Sequence, residues 1–164
     1  MRSFNSTKSS YRLFKGIALM FVMTLMTIGA FATTYYSQGS VALNTLANWN
    51  TNRLGGGTSP ANFTTAGDVF IIQGTGNGGT SPHAMTLGST LTIGSSTNNT
   101  KLEIENGASL TTSSALTFGS AGIFQIDNGG TYNHSNTSAY ASTILAGVES
   151  FTANSNFVIQ NSST

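Results

Sequence analysis

The chain has 164 residues, of which only 7% are charged, six Lys and Arg against five Asp and Glu, and it contains no cysteine. A globular enzyme usually carries about a quarter of its residues as charges. So sparse a set leaves no basic footprint for nucleic acid, and the lack of thiols excludes disulfides and thiolate metal sites.

The N-terminus reads as a secretory signal peptide spanning residues 1–32. Arg2, Lys8, Arg12 and Lys15 form a basic n-region, Gly16 to Ile28 an apolar h-region, and Ala30-Phe31-Ala32 a small-residue cleavage site. A signal anchor is the competing reading. The apolar run to Ala32 is close to the shortest that spans a bilayer, and the cleavage site favours release with Thr33 as the new N-terminus. The expected destination is secretion or the outer cell surface, with no membrane association after cleavage. The remaining chain keeps two bases, Arg53 and Lys101, against Asp68, Glu103, Glu105, Asp127 and Glu149.

Residues 33–66 form a non-repetitive, aromatic N-terminal cap region with Tyr35, Tyr36, Trp49 and Phe63. The end rung of a repeat protein needs a lid over its apolar end, and these aromatics suit it. The functional alternative is a sugar-binding platform, with Trp49 and Tyr132 as candidate glycan contacts.

From residue 67 to 164, short apolar runs alternate with turn residues. Strands are expected at Val69–Gln73, Ala84–Leu87, Thr90–Ile93, Lys101–Glu105, Ala108–Thr111, Ala115–Phe118, Gly122–Ile126 and Gly130–His134. Their content of β-branched and aromatic residues separates them from a disordered Gly/Ser/Asn-rich chain. A nine-residue pattern occurs as Leu102–Leu110 and Phe124–Tyr132, and begins again at Phe157 as the sequence stops. The period of about 22 residues is that of a solenoid rung. Leu91-Thr92-Ile93-Gly94-Ser95 and Leu116-Thr117-Phe118-Gly119-Ser120 recur at a similar offset. The expected fold is all-β, a right-handed parallel β-solenoid of roughly five or six rungs. Asn106-Gly107 and Asn128-Gly129 also suit hairpin turns, so an antiparallel meander or sandwich competes. Ser138 to Val148 interrupts the period by about half a rung, and reads as a bulge, an extra strand or a binding-face insertion.

Residues that carry chemistry are few. Glu103 and Glu105 are expected on one outward strand face with Lys101 beside them, which fits either a paired acid site or a solvated, charge-balanced face. Asp127 and Asp68 read as turn residues. His83 and His134 lack metal-ligand spacing, and Gly74-x-Gly76-x-x-Gly79 precedes no helical pattern, as a dinucleotide site requires. No catalytic, cofactor-binding or metal residue is assigned, and no cofactor is expected.

Thr34-Tyr35-Tyr36-Ser37, Leu46-Ala47-Asn48-Trp49, Gly56-Gly57-Thr58-Ser59-Pro60-Ala61-Asn62-Phe63, Gly130-Thr131-Tyr132-Asn133-His134 and Gly147-Val148-Glu149-Ser150-Phe151 resemble the N-terminal region of long secreted β-repeat proteins of Bacteroidetes. The resemblance implies export by a signal peptide, a surface or extracellular destination, and often a C-terminal type IX sorting domain, which this sequence lacks; it is expected to be a truncated fragment. The expected function is a structural, adhesin-like segment without catalysis, its partners extracellular glycans or other surface proteins. The alternative is the front part of a polysaccharide lyase or glycoside hydrolase whose active site lies in downstream rungs.

Overall fold

The computed structural model describes residues 32–75, 78, 81–135, 148–151, 154 and 156–159; the expected signal peptide, apart from Ala32, and most of Ser138–Val148 lie outside them. Among the described residues the fold is all-β, with one three-residue 3-10 turn at Leu46–Asn48. Twelve strands are described: β1 Thr34–Ser37, β2 Trp49–Asn50, β3 Val69–Ile72, β4 Ala84–Leu87, β5 Leu91–Ile93, β6 Lys101–Ile104, β7 Ser109–Thr112, β8 Leu116–Phe118, β9 Ile123–Ile126, β10 Thr131–His134, β11 Val148–Phe151 and β12 Asn156–Ile159.

They form three small sheets. The first is ordered β11-β9-β6-β3-β1-β2, the second β12-β10-β7-β4 and the third β5-β8. Every pair is parallel except β1 with β2. The register follows the repeated residues: Leu102 faces Phe124 and Ile104 faces Ile126, Leu110 faces Tyr132, and Leu91-Thr92-Ile93 faces Leu116-Thr117-Phe118. The hairpin pairing across Asn106-Gly107 does not occur. Both Asn-Gly pairs turn a corner instead, with Gly107 at φ 80° and Gly129 at φ 79°, and Gly107 N–H donates to the Gly129 carbonyl of the next repeat.

Period two decides what is buried. In β6, β7, β9 and β10 alternate residues are buried. Inward residues of all three sheets, among them Phe70, Ile72, Leu87, Ile93, Leu102, Leu110, Phe118 and Phe124, join one apolar core. Trp49, Phe63 and Tyr35 close over Phe70, with ring centroids 5.3, 4.9 and 5.4 Å from it. Tyr36 does not join them; its ring carries the Arg53 guanidinium at 4.4 Å.

Two expectations about register are corrected. Phe157 does not stack on Phe124 but faces Tyr132. The strand over β9 is β11, in which Glu149 faces Phe124. Phe-x-Ile fits any inward-facing strand start, so similarity alone misassigned the third copy by one sheet. The half-rung interruption disappears with that correction: Ile123 to Val148 spans 25 positions, against 22 from Lys101 to Ile123.

Candidate functional site

The two candidate glycan contacts are interior. Trp49 and Tyr132 are each 0% exposed. Trp49 Nε1–H donates to the Leu43 carbonyl at 2.9 Å, which satisfies the one polar group of a large ring filling the core. Tyr132 occupies the inward position equivalent to Leu110. Its hydroxyl lies 2.9 Å from Thr112 Oγ1 and 3.1 Å from His134 Nδ1, and burial pushes its pKa up to about 12. Neither ring is available to a sugar.

Glu103 and Glu105 do not form an outward pair. β6 ends at Ile104, and Glu105, beyond it, is buried. Its carboxylate accepts both Arg53 guanidinium donors, Nη1 at 2.9 Å and Nη2, and the Gly74 N–H at 2.9 Å. The acceptor pairing raises the Arg53 pKa against the opposing effect of burial. Glu103 stays on the outer face, bonded to Lys101 Nζ. Burial raises its pKa, Lys101 lowers it, and Asp127 and Glu105 raise it further. Lys101 also reaches Gln125 Oε1 at 3.3 Å, and Gln125 Nε2 donates to Asp127 at 2.7 Å. These side chains form a continuous row across β6 and β9, each engaged with its neighbour.

His83 sits just before β4. Its Nδ1 accepts from the Gly39 N–H at 3.2 Å and lies 2.7 Å from Ser37 Oγ; a backbone donor on Nδ1 places the ring proton on Nε2. Ser37 is itself buried and accepts from Gln73 N–H at 3.0 Å. The imidazole ties residues 37–39 to the start of β4, and burial lowers its pKa.

The outer face of the second sheet differs from these charged clusters. Ala84, Ser109, Thr131 and Asn156 align across β4, β7, β10 and β12. Thr86, Thr111, Asn133 and Val158 form the next column. No residue of either column is charged, and Thr86 and Asn156 are exposed while Ser109, Thr111, Thr131 and Asn133 are half-buried. Sheet geometry spaces these groups by about 4.8 Å across strands and about 6.6 Å along them. Apart from Ala84 and Val158, these columns are hydroxyl and amide residues in register, and sequence reasoning missed them because the columns exist only once register is known.

Among the described residues no group of three or more His, Cys, Asp and Glu is placed to hold a metal ion, and no helix is long and apolar enough to cross a membrane. Compared with known protein families, curated proteins and solved structures, the chain matches none.

Proposed function

We propose that this chain is a structural, adhesin-like segment of a secreted or cell-surface β-repeat protein, folded as a right-handed β-solenoid, with extracellular glycans as its partners. The observation that carries the reading is the parallel, in-register stacking of β3, β6, β9 and β11 beside β4, β7, β10 and β12. Stacked repeats bury a continuous core and propagate as a stiff rod, a suitable spacer. The uncharged Thr, Ser and Asn columns of the second sheet support weak contact with neutral polysaccharide; a ligand there gains hydrogen bonds without desolvating a charge.

The test is a panel of neutral and acidic polysaccharides offered to the chain from Thr33 onward, read by binding and by reducing-end release. Weak binding to neutral members, reduced by Thr86→Val with Thr111→Val and untouched by Glu103→Gln, is expected. Turnover that disappears in Glu103→Gln would overturn the structural reading in favour of an enzyme.

A further inference from the structure

Both backbone polar groups of Thr33 address the start of β3. Its N–H donates to Asp68 Oδ1 at 2.9 Å, and its carbonyl accepts from Val69 N–H at 2.9 Å. Asp68 is only 3% exposed, and its own carbonyl receives Lys101 N–H at 2.8 Å. A buried carboxylate ordinarily has a cationic partner. From Thr33 onward the chain has two Lys and Arg residues, and both are taken: Arg53 by Glu105 and Lys101 by Glu103. The histidines are engaged elsewhere, His83 with Ser37 and Gly39 and His134 with Thr112 and Tyr132. What Asp68 does hold is the nitrogen that follows Ala30-Phe31-Ala32.

We propose that hydrolysis of the Ala32–Thr33 peptide bond turns this nitrogen into an α-ammonium ion-paired with the buried Asp68 carboxylate, so that the processed N-terminus is a built part of the fold. The proposal rests on the secretory reading of residues 1–32. A signal peptidase supplies the reaction: the Ala32 C–N bond breaks, water delivers hydroxyl to the Ala32 carbonyl carbon and a proton to the departing nitrogen, and the resulting amine takes a second proton from solvent. The ammonium offers three donors where the peptide offered one, and both ends of the bond are then charged. Departure of Ala32 also clears Gly67, where a Cβ would lie 2.9 Å from the Ala32 Cβ. Among the described residues, the apolar core draws on none before Leu43 apart from Tyr35 packed against it, so the chain beginning at Thr33 keeps every core residue described.

The experiment compares chain 33–164 bearing a free Thr33 amine with the same chain N-acetylated, each with and without Asp68→Asn, by urea unfolding. Acetylation keeps the N–H and removes the charge. It is expected to raise the unfolding equilibrium constant about tenfold with Asp68 present and less than about twofold with Asp68→Asn. Equal effects in the two backgrounds, or none, overturn the pair. Should Asp68→Asn not fold, the acylation rate of the Thr33 amine decides: suppression of about tenfold in the native relative to the urea-unfolded chain supports the pair, and equal rates overturn it. N-terminal sequencing of the secreted product separates the two layers. Absence of a secreted, processed product overturns the secretory reading; a secreted start other than Thr33 overturns cleavage after Ala32 and the pair as a natural feature; a start at Thr33 without an acetylation effect overturns the pair alone.

Discussion

Ile104 lies directly opposite Ile126 in adjacent parallel strands, and both are 0% exposed. Each is thus the neighbour that keeps the other dry. Ile126→Asp buries an unpaired charge between repeats and is expected to cost several kcal/mol, about 3 or more, with loss of cooperative unfolding in urea. Glu103→Gln, one position before Ile104 on the outer face, keeps an acceptor for Lys101 and is expected to change stability by less than about 1 kcal/mol. Equal losses from the two variants would contradict the inward and outward assignment.

The corner glycines separate strain from collision. Gly107 and Gly129 share a left-handed backbone, at φ 80° and 79°. A Cβ at Gly107 would meet nothing closer than 3.4 Å, whereas one at Gly129 would fall 2.3 Å from Asn106 Oδ1. Gly107→Ala is expected to cost about 1–2 kcal/mol from backbone conformation alone. Gly129→Ala adds displacement of the Asn106 amide and is expected to lower the melting temperature further. The reverse order would show that the stacked corner is drawn wrongly.

Arg53 and Glu105 form the longest-range charge contact described, across 52 positions. Arg53→Met leaves a carboxylate whose side chain is 3% exposed without its guanidinium, and is expected to cost about 3 kcal/mol. Adding Glu105→Gln removes the buried charge and should restore part of the loss. A double variant less stable than the sum of the singles would contradict this account.

His83 gives the chain a pH dependence of known sign. Burial holds its folded-state pKa below the ordinary value. As pH falls from about 6.5, the unfolded chain therefore binds a proton before the folded one does, and stability drops until the folded-state pKa is passed. Protonation at Nδ1 also removes the acceptor for the Gly39 N–H. Urea midpoints between about pH 7 and pH 5 are expected to fall in the native chain and to flatten in His83→Asn. A slope that survives the substitution would contradict its assignment to His83.

Much of the strand pattern is legible in the residues because turn and alternation signals agree. Ala84–Leu87 forms as expected, and the other seven predicted strands differ at their ends by a residue or so. Register is legible where side chains repeat, as in Leu91-Thr92-Ile93 over Leu116-Thr117-Phe118. β1 is not legible as a partner of β3, since the 31 residues between Ser37 and Val69 follow no period. Trp49 and Tyr132 were open to reading as exposed sugar contacts because aromatics serve both purposes. The match of Tyr132 with Leu110 already placed it on an inward position. Contacts such as Arg53 with Glu105 and Thr33 with Asp68 join residues with no local signature, and only the fold brings them together.

Parallel stacking of repeats, against hairpins closed at the Asn-Gly pairs, is the claim on which the rest depends. The chain has no cysteine, so a disulfide can be placed at will. Glu103 faces Gln125 across adjacent parallel strands, whereas a hairpin turning at Asn106-Gly107 would set Glu103 opposite Leu110. Neighbouring strands bring facing Cα atoms within the span a disulfide bridges. Oxidation of the Glu103→Cys, Gln125→Cys variant is predicted to give a complete intramolecular disulfide under native conditions, and the Glu103→Cys, Leu110→Cys variant none. A disulfide between positions 103 and 110, with 103 and 125 left reduced, would contradict the account.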